Sequence, residues 1–200
     1  MKTLAEIYSR YTAPLGHGDK GSDHSYIEPY ARLLEPYRHT AKVVLEIGIM
    51  AGLSLRMWEE YFDGASEVHG IDLCDQPHGG FADLRPMIAE GTHKISLLDA
   101  TSWLQVMKQF WHTRFDVVID DASHELAHQL KTYEIFRDLM RPGGIYIIED
   151  VNNLDQVRPQ FEQLDSTRQV EIIDLRQVKG RCDDVLVVVR DLDPHHLIKR

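Results

Sequence analysis

Hydrophobic positions along this chain keep switching between a period of two and a helical period. Short apolar runs rich in β-branched residues occur in VVLEI from Val43, EVHGID closing at Asp72, HKISLLD closing at Asp99 and FDVVIDD from Phe115. GIYIIED closing at Asp150, QVEIIDL and DVLVVVRDL follow the same pattern, and all seven read as strands. Between them, apolar residues recur three and four apart. LSLRMWEEYF follows the first strand, Trp103, Leu104, Met107 and Phe110 mark a helix within Thr101 to His112, and Asp155 to Leu164 is a further helical stretch. Leu126, Leu130, Tyr133, Ile135, Phe136 and Leu139 predict a long helix from His124 to Met140, with RPGG turning the chain into the next strand. Upstream, Leu4, Ile7, Tyr8 and Tyr11 predict an amphipathic helix packed on the domain or on a partner chain, and Tyr30, Leu33, Leu34 and Tyr37 predict another over Ile27 to Tyr37. The polar, glycine-rich PLGHGDKGSDHSY separates the two. LCDQPHGGFADL is too rich in Gly and Pro to be regular, a short helical piece follows it, and Lys179-Gly180 marks a turn region between the last two strands.

Alternating strands and helices that end in two successive strands predict an α/β fold, a doubly wound, mostly parallel sheet with an antiparallel last strand. The 200 residues suit a single domain: residues 1–42 as a helical cap and 43–192 as a Rossmann-like core, with no repeat, low-complexity tract or linker. A formal net charge of -10 speaks against a broad nucleic-acid or anionic-membrane surface, so neither is expected as a partner. Cys74 and Cys182 lack metal spacing, the N-terminus lacks a signal-like apolar core, and no apolar run approaches membrane-spanning length. These features predict a reduced, cytoplasmic chain.

Val43 to Asp72 reads as one βαβ unit with an acid at its far end. Gly48 lets the backbone turn tightly against a ligand, Gly52 lets helix and strand pack closely, and Asp72 can accept from both hydroxyls of a ribose. The spacing is E-x-G-x-x-x-G, without the G-x-G-x-x-G that seats a pyrophosphate, which disfavours a dinucleotide. Every central strand ends in a carboxylate: Glu46, Asp72, Asp99, the pair Asp120 and Asp121, and the pair Glu149 and Asp150.

In this turn and acid, the chain resembles the class I S-adenosylmethionine-dependent methyltransferases. The resemblance implies a seven-stranded sheet of order 3-2-1-4-5-7-6, with its crevice at the C-terminal ends of strands one and four. It implies Asp72 on ribose, Asp99 on the adenine amino group, and Glu46 and Asp120 near the methionine end. FDVVIDDASH and RPGGIYIIEDV further resemble the magnesium-dependent O-methyltransferases acting on sugars of macrolides and related natural products. That likeness implies Mg²⁺ held by Asp121, Glu149 and Asp150, with His124 as general base toward a hydroxyl of a sugar or other vicinal-diol acceptor. DKGSDHSYIEPY resembles the segment before the first strand in the same enzymes, implying that Lys20 pairs a carboxylate and that Tyr26 or Tyr30 contacts ligand. His17 and His24 read as ordinary polar loop residues.

Two other readings stay open at this level. His124-Glu125-Leu126-Ala127-His128 is a literal H-E-x-x-H, the spacing of a zinc hydrolase when both imidazoles lie on one helix. A noncatalytic cofactor-binding domain would keep the crevice and lack an acceptor pocket. The first helix, outside the βαβ series, predicts a homo-oligomer joined through the N-terminal helices.

Overall fold

A computed structural model describes residues 1–13, 19–50, 52–73 and 94–191. The strands are β1 (Val43–Ile47), β2 (Glu67–Asp72), β3 (Lys94–Leu97), β4 (Phe115–Asp120), β5 (Met140–Ile148), β6 (Arg168–Asp174) and β7 (Val185–Asp191). The helices are α1 (Leu4–Thr12), α2 (Asp19–Ser22), α3 (Ile27–Leu34), α4 (Leu53–Tyr61), α5 (Trp103–Phe110), α6 (Leu126–Phe136), α7 (Leu154–Glu162) and α8 (Arg176–Lys179). The strands form one sheet of order β3-β2-β1-β4-β5-β7-β6. Parallel pairing joins β3 through β5, and β7 runs antiparallel to both β5 and β6.

Side chains alternate across the sheet, so each strand feeds two cores. Val44, Val117, Ile119, Ile145 and Ile147 face one side, with Leu4, Ile7, Tyr26, Tyr30 and Trp58 from the cap and α4. Val43, Leu45, Ile47, Val118, Tyr146 and Ile148 face the other, with Val106, Phe110, Tyr133 and Phe136. Burial on both faces explains why these strands read as continuous apolar runs.

The apolar face of α1 is spent within its own chain. Leu4 and Ile7 are buried in the first core, while Lys2 and Arg10 pair with Glu60 of α4 and Tyr11 donates to the same carboxylate. A capping box at Thr3 and Glu6 starts the helix. Leu4 and Ile7 of the face that motivated the oligomer expectation are therefore covered by the domain itself, and Tyr8 and Tyr11 pack against it half-buried.

Three element readings need correction. In α5, Val106 and Phe110 carry the burial, whereas Trp103 and Leu104 are 56% and 71% exposed. Leu104 lies roughly 200° around the helix from Val106, and Trp103 opens the helix, where side chains lean back past its N-terminal end. The long helix begins at Leu126, two residues after His124, and gives way at Arg137–Leu139 to a 3-10 turn. RPGG is a bulge within β5 rather than a turn before it: Phe115 faces Met140 while Val117 faces Ile145, with Gly143 at φ 78°. Cys74, the irregular stretch and short helical piece before β3, His17 and Leu192 fall outside the described residues. Among the described residues, no helix is long and apolar enough to cross a membrane.

Candidate active site

The parallel strands β1, β2 and β4 deliver their C-terminal ends to one edge, where the order reverses between β1 and β4. The backbone there is drawn tight. Gly48, at φ 83°, donates to the Ile71 carbonyl, and a Cβ on it would stand 2.0 Å from the carbonyl oxygen of Asp121. Only glycine fits that approach. Gly52, at φ 73°, caps the start of α4 without a side chain. Asp72 Oδ2 accepts from the backbone of Ile49 at 3.0 Å and Met50 at 3.1 Å, so it fastens the glycine turn as well as facing the crevice. Met50 there holds a left-handed φ of 42°. Asp99 Oδ1 caps Thr101 through both its backbone and hydroxyl, at 2.8 and 2.7 Å. Glu46 is fully buried, its Oε2 accepting from Ser54 at 2.6 Å and its Oε1 without a hydrogen bond.

Glu46 and Asp120, expected together, stand on opposite faces. Glu46 shares the parity of Val44, and Asp120 shares that of Val118. Asp120 accepts from Tyr146 at 3.1 Å on the α6 side. Burial pushes both carboxyls up to about 7, Glu46 against the opposing pull of Lys20 and Asp120 against that of its Tyr146 hydrogen bond.

Asp121 and Glu149 share the parity of Glu46 and meet a segment from the far N-terminus. Lys20 Nζ lies 2.5 Å from Asp121 Oδ2, 2.6 Å from Glu149 Oε1 and 3.4 Å from Glu46 Oε1. Tyr30 donates to Glu149 Oε1 at 2.5 Å, and Tyr26 to Asp150 Oδ1 at 2.6 Å. Asp150 itself sits at φ 54°, aiming its other oxygen at His124. His124 Nε2 is 3.1 Å from Asp121 Oδ1, and its Nδ1 is 3.5 Å from Asp150 Oδ2. The three acids expected to act as one set thus form two groups sharing Asp121. Glu46, Asp121 and Glu149 surround Lys20, while Asp121, His124 and Asp150 converge beside it, donor atoms within 4.8 Å in each.

Charge inside this cluster is unevenly shared. Burial disfavours the Lys20 ammonium, but Asp121, Glu149 and Glu46 outweigh it and hold the group charged above the usual lysine range. Burial would raise Asp121, yet Lys20 and His124 bring it below the ordinary carboxylate value. Burial and then Asp121 push Glu149 well up. His124 is depressed by burial and raised further by Asp121 and Asp150, ending above its usual value.

Lys20 pairs carboxylates, as the resemblance implies, and Tyr26 and Tyr30, either of which was expected on the ligand, donate to acids of the same cluster. His24, read as a loop residue, is 3% exposed, stacks on Tyr26 at 4.8 Å and lies 3.3 Å from Asp150 Oδ1. Its only sequence signal is the spacing His24-x-Tyr26, which places both rings ahead of α3. The two imidazoles of H-E-x-x-H stand in different surroundings. His124 has φ 58° and precedes the helix that Glu125 caps, so the two imidazoles are not one turn apart; His128 instead meets Ser123 Oγ at 2.8 Å.

Residues 45–151 match a family model described as a methyltransferase domain. The chain is 32% identical over 145 residues to the 8-demethyl-8-alpha-L-rhamnosyl tetracenomycin-C 2'-O-methyltransferase of Streptomyces olivaceus, covering 68% of this chain and 36% of that protein. It is 33% identical over 155 residues to the mycinamicin VI 2''-O-methyltransferase of Micromonospora griseorubida, covering 74% of this chain and 36% of the relative. It therefore spans about a third of the length of the curated relatives it matches. Among solved structures, the MycE methyltransferase of the mycinamycin pathway, in complex with Mg, SAH and mycinamycin VI, superposes with a TM-score of 0.69 at 23% identity, over 95% of this chain and 54% of that one. The SAH-bound Podospora anserina methyltransferase PaMTH1 gives 0.61 at 17%, over 96% and 89%. At these identities the solved structures speak to the fold.

Proposed function

Because the chain belongs to the methyltransferase-domain family, we propose that it carries a methyl group from S-adenosylmethionine to a hydroxyl of a sugar or another small vicinal diol, assisted by Mg²⁺, in the cytoplasm. The observation that carries this reading is the convergence of Asp121, His124 and Asp150 at the ends of β4 and β5, next to the glycine turn of β1. The named sugar O-methyltransferases among its relatives support the acceptor class.

The residues present fit both groups. Asp121 and Asp150 offer hard carboxylate oxygens on either side of His124, with Glu149 immediately behind Asp121, a donor set suited to an octahedral ion that keeps water positions for a diol. Glu46, buried at the end of β1, would lie near the amino-acid end of the cofactor. When bound, S-adenosylmethionine supplies an activated methyl group, and Mg²⁺ lowers the acceptor hydroxyl's pKa. The chain's own part is alignment and proton handling. Asp72, already fastening the turn, would take ribose, and Asp99 would face the base. His124 would remove the acceptor proton, its ring held between Asp121 Oδ1 and Asp150 Oδ2.

Calorimetry with S-adenosylmethionine, and transfer of labelled methyl to a panel of sugar and catechol diols with and without chelator, test this. Cofactor binding should survive chelation while transfer is lost. Binding without any product would leave a noncatalytic cofactor domain, and no binding at all would remove the proposal.

A further inference from the structure

Asp150 enters the crevice in a backbone conformation that it does not favour. Its φ of 54° is a left-handed value that a residue with a Cβ adopts only at a cost, so the surroundings must hold it there. The grip comes from the segment ahead of α3. Tyr26 donates to Asp150 Oδ1 at 2.6 Å and accepts from the Asp150 backbone N–H at 3.2 Å. The buried His24 ring stacks on Tyr26, with centroids 4.8 Å apart and planes 22° from parallel, and its Nδ1 lies 3.3 Å from the same Oδ1. His24 is itself fixed from several sides. Its carbonyl accepts from Lys179 at 2.7 Å, its backbone N–H donates to the Asp19 carbonyl at 2.8 Å, and the next residue, Ser25, donates through its backbone to Asp184 Oδ1 at 3.0 Å. Asp184 is fully buried just before β7, and the same Oδ1 stands 3.7 Å from His24 Nδ1.

We propose that His24 is a positioning residue for Asp150: together with Tyr26 it holds Oδ1 on the protein side, so that Oδ2 is left for a divalent ion beside His124. The inference rests on the magnesium reading above, and it takes no acid at the ends of β4 and β5 away from the ion. His24 Nδ1 faces two carboxylate oxygens, and a bare lone pair there would be repelled by both, so this nitrogen carries a proton and acts as the donor. Asp184 helps in two ways: it pins the backbone of Ser25, and its oxygen makes the protonated form of that nitrogen the favoured one. A carboxylate gripped at one oxygen has lost its rotational freedom before the ion arrives, so less ordering remains to oppose binding. The same grip sets the aim. Oδ2 stands 3.5 Å from His124 Nδ1, and Asp121 Oδ1 stands 3.1 Å from His124 Nε2, so a fixed Asp150 keeps the base and the ligand oxygens in register. His24 acts wholly through Asp150, since its ring is stacked on Tyr26 and buried.

The test reads ion affinity rather than turnover. Mn²⁺ binding to the full chain, followed by calorimetry and electron paramagnetic resonance, is compared between the native protein, His24→Phe and His24→Asn, with S-adenosylmethionine affinity and urea stability measured beside it. Phenylalanine keeps a ring to stack on Tyr26 and removes the donor, whereas asparagine returns an amide N–H near the place of Nδ1. His24→Phe should bind Mn²⁺ roughly 10- to 100-fold more weakly, the range for losing a group that hydrogen-bonds a metal ligand, with cofactor affinity unchanged. His24→Asn should recover most of that loss. Unchanged Mn²⁺ affinity in folded His24→Phe, even with lowered stability, makes the histidine merely structural and overturns the inference while the magnesium reading stands. An equal loss of cofactor affinity overturns it too, because the whole crevice has then loosened. A native chain that binds no Mn²⁺ removes both readings. Should His24→Phe not fold, nuclear magnetic resonance of the native chain with isotope-labelled histidine decides, the His24 ring being assigned by its absence in His24→Asn. A proton on Nδ1 and a resonance that shifts on adding Mg²⁺ support the inference, and a bare Nδ1 or a ring indifferent to Mg²⁺ overturns it.

Discussion

At the ends of β1, β2 and β3, acids are engaged by groups close to them along the chain: Asp99 caps Thr101, Glu46 accepts from Ser54, and Asp72 holds the backbone of Ile49 and Met50. At the ends of β4 and β5, beside the nearby His124 and Tyr146, further partners come from more than a hundred residues away. Lys20 reaches Asp121 and Glu149, Tyr30 reaches Glu149, and Tyr26 reaches Asp150. The first half of the crevice is built by local turns and needs only its own βαβ units. The second half is completed when the N-terminal segment closes over the sheet. A cofactor half that forms locally and a chemical half assembled at long range should respond differently to mutation.

The largest difference is expected at His124. Its ring touches Asp121 and Asp150. His124→Ala should lower the transfer rate by roughly 10² to 10⁴, the range for a positioned general base, while S-adenosylmethionine still binds. Single-turnover kinetics beside calorimetry would check this. A loss of cofactor affinity equal to the loss of rate would mean that the two halves are not separable.

Asp72→Ala tests the other half. It removes the acceptor for two backbone N–H groups of the turn together with the expected ribose contact. Cofactor affinity should fall by about 2–4 kcal/mol, as for the loss of two charge-assisted hydrogen bonds, with divalent-ion binding unchanged. Unaltered cofactor affinity by calorimetry would take Asp72 out of the site.

Tyr26→Phe probes the long-range assembly itself. The buried hydroxyl donates to Asp150 Oδ1 and accepts from the backbone N–H groups of Asp150 and Val185, joining α3 to the ends of β5 and β7. Removing it takes a partner from each of these groups, although Val185 N–H keeps the Asp183 carbonyl and Asp150 Oδ1 keeps His24, and should cost about 1–3 kcal/mol of stability in urea titrations. Cofactor binding at the β1 turn should persist under conditions where the variant stays folded. A stability equal to that of the native chain would show that the segment does not brace the acids.

What could be read from the sequence follows the same division. The strands and the β1 turn rest on apolar runs and on Gly48, whose need for a positive φ is written in one residue, whereas the sheet order came from the family resemblance. The acids were legible as strand ends because strands and turns are local patterns. Their grouping was not. Period-two alternation does place Glu46 and Asp120 on opposite faces, but only when the register of β1 on β4 is known. That Lys20 meets Asp121 and Glu149, or that His24 is buried beside Asp150, depends on tertiary closure that no spacing encodes. The exposed Trp103 and Leu104 mislead for a related reason: helical periodicity identifies an apolar stripe but not where the helix ends against the sheet.

The smallest expected effect settles what H-E-x-x-H means here. As a zinc motif it requires His124 and His128 to be equivalent ligands one helical turn apart, so that losing either would empty the metal site. The backbone separates them instead. His124 is left-handed and lies before the helix, aimed at Asp121 and Asp150, while His128 is within the first turn and bonded to Ser123 Oγ. Ser123 also approaches the backbone N–H of Glu125 at 3.4 Å, so the pair acts as a local brace at the start of α6. His128→Ala should therefore cost about 0.5 kcal/mol of stability, the lower end for a helix-terminal contact, and leave the transfer rate within twofold of the native value. Zinc analysis of the purified native protein completes the comparison. Stoichiometric zinc that disappears in His128→Ala, with transfer unaffected by chelators, would restore the paired-histidine reading and remove His124 from the role of base.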